Sequence, residues 1–184
     1  MTSKTTILLG VTGSIAAFRS ADLVRQMITR RWDVHVLMTD GATKFVTPLT
    51  FHTLSQNPVG VSMWDANTDW KPEHIATAER ADVFVIAPCT ANVIAKIAHG
   101  MADDLLTCSV LVSTAPLVIA PAMNVHMWEN AATQSNVDTL RARGIAIVDV
   151  ETGDLACGYE GQGRLAGLEV ILETVETLVN GSQA

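Results

Sequence analysis

Four short segments hold residues whose types and spacing could do chemistry. In "GVTGSIAA" (10–17), Gly13 and Ser14 open a helical pattern. Free backbone N–H groups and the helix dipole at such a place favour an anion, and a monophosphate would fit. The plainer reading is a turn glycine followed by a capping serine. "APCTANV" (87–93) sets Thr90 and Asn92 just past an apolar run. Thr90 suits a helix cap, a ligand contact, or both, and Cys89 reads as a small packed residue. In "PAMNVHMW" (121–128), Asn124 is bracketed by Met123, Met127 and Trp128. A directional amide within polarizable apolar surface would line a site for an aromatic ring or an organic substrate. The competing reading is a buried turn whose asparagine satisfies backbone groups.

The fourth segment, "GDLACGYEGQGRL" (153–165), sets Cys157 among four glycines. A packing cysteine prefers an apolar, rigid setting, a zinc ligand needs partners at short spacing, and a disulfide needs one mate. Which applies depends on what the rest of the chain builds around the segment. Of the five histidines, His35 alternates within a strand pattern and His99 ends a helical one. His52 and His126 are ambiguous. His74, in "KPEHIATAERAD", opens a short polar helix and is a candidate base.

The elements that must position these residues follow a simple alternation. "TTILLGV" (5–11) is a buried strand ending in a turn signal, and Ile15 to Arg31 is a helix with Ala17, Ala21, Val24 and Ile28 on one face. "DVHVLMT" (33–39) is the second strand, completing a βαβ unit. "ADVFVIAP" (81–88) is a third strand, followed by helices over Ala91 to His99 and "DDLLTCSVLVS". "APLVIAPA" (115–122), a helix closed by Gly144, and "IAIVDV" (145–150) complete five strands. A last helix, about Gly167 to Asn180, carries Leu168, Ile171, Leu172, Val175 and Val179 on one stripe. Residues 44–73 mix a short helix with loop. The expected class is α/β, a single doubly wound domain (Rossmann-like or flavodoxin-like) over 1–184, with a disordered tail at 181–184. In such sheets ligands bind beyond the carboxyl ends of the strands. Here those ends are "GVTGSIAA", "LMTDGAT", "IAPCTANV" and "IAPAMNVHMW", all rich in small, hydroxyl or amide residues.

Composition removes several classes. The chain is 48% hydrophobic and 17% charged, with a net charge of −7 and no basic run. Neither disorder nor a nucleic-acid or anionic membrane partner is expected. The apolar segment Leu105 to Val125 is broken by Pro116 and Pro121, so a helix, a turn and a strand explain it better than a membrane span. The start shows no secretory signal pattern. The three cysteines contain no C-x-x-C, which suits a reducing cytoplasm, and no metal site is expected. The dinucleotide fingerprint and the P-loop lysine are absent, so neither NAD nor ATP is indicated.

Together these segments resemble the homo-oligomeric flavin-containing cysteine decarboxylases. "PCTANVIAKIAHGMADDLLT" is similar to the family's P-A-S-A-N-T segment and downstream D-N-L-L-T. "PAMNVHMW" matches its P-x-M-N-x-x-M-W motif, and "HIATAERADVFVIAP" resembles the segment containing its histidine. The likeness runs from about Thr5 to Thr177. It implies FMN, with Gly13, Ser14 and Ile15 at the phosphate, Thr39 and Gly41 nearby, and Thr90, Ala91, Asn92, Val93 and Ala122 lining the remainder. It implies His74 as the histidine needed for oxidation and Asn124 as the ligand of the substrate carboxylate. Met127, Ala156 and Leu165 are expected at the substrate. Cys89 and Thr90 replace Ala-Ser, Val93 replaces Thr, and Asp104 replaces Asn.

"ACGYEGQGR" resembles the A-C-G-x-x-G-x-G-[RA] loop of the phosphopantothenoylcysteine branch, a cysteine that the lantibiotic branch lacks. The implied chemistry oxidises a cysteinyl group to a thioaldehyde, loses CO2 to leave an enethiolate, and returns hydride and a proton to make a saturated thiol. Cys157 would supply that proton from a glycine-rich loop able to close and reopen. The implied substrate is a small phosphorylated cysteine conjugate, and the implied assembly is a homotrimer or homododecamer with active sites between subunits. A fused synthetase partner is not expected after about Asn180. The alternatives are a peptidyl-cysteine decarboxylase and a non-catalytic flavin-binding regulatory subunit; the latter's long acidic tail has no counterpart here.

Overall fold

The computed structural model describes residues 4–64, 78–154 and 160–181. Six parallel strands form the central sheet: β1 (Thr6–Val11), β2 (Asp33–Met38), β3 (Val59–Gly60), β4 (Val83–Cys89), β5 (Leu117–Pro121) and β6 (Ala146–Ile147). Their order is β3-β2-β1-β4-β5-β6. A parallel sheet covered on both faces needs strands that are apolar at every position. Accordingly β4 is buried from end to end, and β1 is buried after its first residue.

One face is covered by α1 (Arg19–Thr29), α3 (Pro48–Ser55) and α8 (Leu168–Gly181). Leu23, Val24, Met27, Phe51, Ile171, Leu172 and Val175 pack there against Ile7, Leu9 and Val85. The other face carries α4 (Ala91–His99), α5 (Leu105–Val112) and α7 (Ala131–Ala142), with Ile94, Ile97, Leu106, Val137 and Leu140 against Leu8, Phe84 and Ile119. Short helices α2 (Asp40–Thr43) and α6 (Val125–Trp128) follow β2 and β5. The doubly wound α/β class is thus as expected. No helix among the described residues is long and apolar enough to cross a membrane.

Four details differ from the sequence-based expectation. The first helix begins as a 3-10 turn over Ile15–Phe18 and becomes α-helical only at Arg19. That tighter turn advances the phase. The buried stripe is therefore Ala17, Ser20, Leu23, Val24 and Met27, while Ala21 and Ile28 lie at its edge. Residues 44–73 contribute the unexpected strand β3, whose two residues pair with Val36 and Leu37 at the sheet edge. The expected strand 145–150 pairs only through Ala146 and Ile147, with Val148 N–H donating to Ile119 O at 2.9 Å before the chain departs.

The fourth difference concerns the glycine-rich segment. Its flanks, β7 (Glu151–Asp154) and β8 (Glu160–Arg164), form a two-stranded antiparallel ribbon. Arg19 anchors the exit of this ribbon, donating from Nη1 to Leu165 O at 2.9 Å and Ala166 O at 3.4 Å. Leu165, expected at the substrate, is 2% exposed and packs in the core.

Candidate functional site

The site lies where the sheet order reverses. The backbone ladder between β1 and β4 ends at Gly10 and Ile86, while β1 continues to pair with β2 through Val11 and Met38. Beyond this point β1 feeds α1 on one face and β4 feeds α4 on the other, so the chain ends splay into a crevice.

Three capped turns surround that crevice. Ser14 N–H donates to Thr12 O at 2.8 Å, closing the turn after β1. Ser14 Oγ accepts from Ala16 N–H at 3.3 Å, and Ile15 beside it is 55% exposed. Thr39 Oγ1 accepts from Ala42 N–H at 3.3 Å at the start of α2. Thr90 Oγ1 accepts from Val93 N–H at 3.4 Å at the start of α4. Ser14 and Thr90, which sequence chemistry offered as caps, are caps, and Thr39 is a third.

Gly13 and Gly41 explain how two of these turns come so close. A Cβ on Gly13 would stand 3.0 Å from the carbonyl carbon of Gly41, tighter than ordinary packing permits. The missing side chain leaves a cradle of backbone between the β1 and β2 ends. Ala91 is half-buried and Asn92 is exposed at the third turn. Val93 is 2% exposed among the residues beneath α4, so its side chain, expected at the site, serves the core. The hydroxyl that valine lacks relative to threonine would therefore have met apolar neighbours.

The β5 end joins the same cluster. Ala122 N–H donates to Cys89 O at 3.0 Å. Asn124 caps α6, its Oδ1 accepting from His126 N–H at 2.9 Å, so a local bond sets the orientation of the amide. Met127 is 48% exposed, whereas Trp128 is 7% exposed and packs in the core instead of lining a surface. Against this turn lies β8. Met123 N–H donates to Gly163 O at 2.9 Å, and Gly163 has φ +138. A Cβ there would run into Met123 O, and one on Gly161 would stand 2.9 Å from Val125 Cγ2. These two glycines are demanded by contact with the asparagine turn. The sequence read them as conferring loop mobility, and nothing in a one-dimensional pattern distinguishes the two uses.

Burial pushes the Cys89 thiol far up, so it is an inert packing group as expected. Asp104 has a structural explanation. Burial disfavours its charge, but Thr107 N–H at 2.8 Å and Lys96 Nζ at 2.9 Å outweigh that and hold its carboxyl below the ordinary range. It caps α5 and ties it to α4, a task in which a carboxylate paired with lysine serves well. His35 meets Asp33 at 3.3 Å and His52 Nδ1 meets Asn57 O at 2.9 Å, away from the strand ends. Among the described residues no cluster could hold a metal. His74, Ala156 and Cys157 lie outside the described residues. Thr12 and Arg19 were not singled out from sequence. Both act by reaching residues more than seventy positions away, which leaves no local signal.

A family model described as Flavoprotein matches residues 1–180. The "Coenzyme A biosynthesis bifunctional protein CoaBC" of Bacillus subtilis (strain 168) is 41% identical over 176 residues, 96% of this chain but 43% of that protein. The "Probable phosphopantothenoylcysteine decarboxylase" of Streptococcus mutans is 43% identical over 178 residues, 96% of this chain and 98% of that one. Among solved structures, a PPC decarboxylase cysteine-to-serine mutant complexed with pantothenoylaminoethenethiol is similar, with a TM-score of 0.84 and 33% identity, covering 97% of this chain and 100% of that one. The FMN-dependent cysteine decarboxylase SpaF is also similar, at TM-score 0.83 and 32% identity, covering 98% of each. The parallel sheet, the capped turns at its switch point and this end-to-end match agree: the chain belongs to the Flavoprotein family.

Proposed function

We propose that this chain is an FMN-dependent decarboxylase that converts 4'-phosphopantothenoylcysteine to 4'-phosphopantetheine in coenzyme A biosynthesis, acting as one catalytic domain. The observation that carries this reading is that the Gly13–Gly41 backbone cradle and the Asn124 turn both follow the carboxyl ends of strands of one parallel sheet, the latter joined to the β4 end by the Ala122 N–H to Cys89 O bond. The end-to-end similarity to a relative of the same length supports it.

The residues present fit FMN. The turns 10–15, 87–93 and 121–125 contain hydroxyls, amides and glycines and no acidic residue; the Thr39–Gly41 turn carries Asp40, whose exposed carboxylate faces Lys44 Nζ at 3.5 Å. The Ser14 N–H is already donated to Thr12 O, so at the helix start the Ile15 N–H and the Ser14 hydroxyl, beside Gly13, would bind the FMN phosphate. Thr39 and Gly41 would flank it, and Thr90, Ala91, Asn92 and Ala122 would hold the remainder, with Val93 limited to its backbone. FMN, when bound, supplies a reversible two-electron acceptor.

The protein's part is orientation and proton transfer. Asn124 would orient the substrate carboxylate, and Met127 would offer apolar surface beside it. His74 would take the proton released as the cysteinyl carbon is oxidised. Loss of CO2 then leaves an enethiolate, to which Cys157 would deliver a proton, with Ala156 alongside. The roles of His74, Ala156 and Cys157 rest on the resemblance of their segments. The complex of a relative's cysteine-to-serine mutant with an ethenethiol supports a cysteine acting after CO2 loss.

The reading is tested by purified protein that is yellow, with an oxidised-flavin spectrum, and that releases CO2 from phosphopantothenoylcysteine. CO2 from a peptide ending in cysteine, and none from the small substrate, would replace it with the peptidyl-cysteine reading. A flavin spectrum with neither activity would point to a regulatory subunit.

Gly13→Asp is expected to yield colourless protein. Its Cβ would press on the Gly41 backbone, and its carboxylate would oppose the phosphate. Flavin content should fall to below about a tenth, each 1.4 kcal/mol of lost binding being tenfold. A full flavin spectrum in this variant would move the phosphate elsewhere.

The reading includes a cytoplasmic setting and a homotrimer, or a dodecamer of such trimers. Ile15, Phe18, Phe45 and Leu49, near the crevice, are 49–69% exposed, an apolar surface that self-association would cover. Sedimentation should show a trimer or its multiple. An active monomer at micromolar concentration would exclude shared active sites.

A further inference from the structure

Beyond its ladder with β1, the end of β4 is held by two buried hydroxyls from the first βα unit. Ser20 Oγ donates to Ala87 O at 2.7 Å, and Thr12 Oγ1 donates to Pro88 O at 2.8 Å. Both side chains belong to residues that are 1% exposed or less. Thr12 does more than Ser20, because its oxygen also accepts from Thr90 N–H at 3.0 Å. Its own carbonyl accepts from Ser14 N–H at 2.8 Å. One residue therefore closes the turn that presents Gly13 and Ser14 and grips the residue that caps α4.

This happens where backbone pairing between the two strands has stopped. The β1–β4 ladder ends at Gly10 and Ile86, and the β4–β5 register shifts between Ile86 and Cys89. Past those points the spacing of the two crevice lips is no longer set by regular sheet geometry. Thr12 is the side chain that spans them, with its hydroxyl used as both donor and acceptor.

We infer that Thr12 is a positioning residue for the flavin, setting the distance and angle between the phosphate turn at Gly13–Ser14 and the α4 start at Thr90–Asn92. The inference rests on the flavin reading above. Thr12 need not touch the ligand. It acts by keeping two binding segments in register with one rigid molecule that must engage both, so a small relative shift weakens every contact on one side.

The test uses the full-length yellow protein diluted into buffer, with FMN release followed by the rise of free-flavin fluorescence. Thr12→Val keeps the shape and removes both bonds. It should speed release about tenfold or more, the scale of leaving buried polar partners unpaired. Thr12→Ser keeps the hydroxyl and should restore release to within about threefold of the native rate. Ser20→Ala removes a buried hydroxyl that bonds only to β4, and should likewise stay within about threefold. Should Thr12→Val fail to fold, Thr12→Cys, whose thiol is a weak hydrogen-bond partner, is scored in the same way. Native release from the valine or cysteine variant overturns the inference. So does equal acceleration by Ser20→Ala, which would mean general loosening of β4. A native chain that holds no FMN overturns the flavin reading, and this inference with it.

Discussion

Cys157→Ser is expected to release CO2 once and then stall before the saturated thiol. The two halves of the proposed reaction need different proton chemistry. Oxidation and CO2 loss call on His74 and the bound flavin, and neither is altered. The enethiolate then needs an acid at carbon. A thiol of pKa about 8.5 can serve, whereas a serine hydroxyl is far too weak an acid. The product of a single turnover should be an enethiol roughly 2 Da lighter than the thiol, lacking the hydride and proton of the second half. Visible flavin absorbance should bleach with substrate and not return. Steady-state thiol formation should fall by at least about 100-fold, the lower end for a lost general acid. Mass spectrometry of the single-turnover mixture decides the matter. Saturated thiol at the native rate would remove Cys157 from the reaction. No CO2 at all would show that the segment is needed before oxidation, contrary to the role proposed.

His74→Asn is expected to leave the flavin bound and abolish the first step. Asparagine keeps much of the shape and hydrogen-bonding capacity of the ring, but it cannot accept a proton near neutral pH. CO2 release should fall by about 10²–10⁴-fold. The visible spectrum should be unchanged both before and after substrate addition. This contrasts with Cys157→Ser, where bleaching occurs and persists, so one spectrum separates the two blocks. Retained turnover would move the base role to another residue. His126 is the nearer candidate, on α6 two residues after its cap Asn124, while His52 is bound to Asn57 O away from the carboxyl ends of the strands.

The comparison of sequence with structure is most instructive at the glycines and hydroxyls. Gly13 was legible as a turn residue because a helix pattern starts beside it, but its partner Gly41 is 28 positions away. Only folding shows that the pair permits a backbone approach of about van der Waals contact. Gly161 and Gly163 read as freedom in a loop. In the structure they are contact surfaces, and β8 rests on Met123 and Val125 because neither glycine carries a side chain. Trp128 and Leu165 read as site-facing from motif position, yet both are core residues. A motif marks where the chain passes the site, and the direction of each side chain depends on the helix or strand phase.

Periodicity and strand-end composition by themselves determined the α/β class, the paired layers and the end of the sheet at which a ligand would bind. Those are consequences of local patterning: apolar runs bury on both faces, and small or capping residues gather where helices begin. Residues 44–73 and 153–165 resisted, because a two-residue edge strand and a glycine-rich ribbon bury too little to impose a period. The arrangement of the site was decided by tertiary structure alone. Thr12 reaches Pro88 and Thr90, and Arg19 reaches Leu165 and Ala166, across separations of 76 to 147 residues. Such bonds depend on the order of strands in the sheet, and a linear sequence carries no period that records which hydroxyl will face which carbonyl.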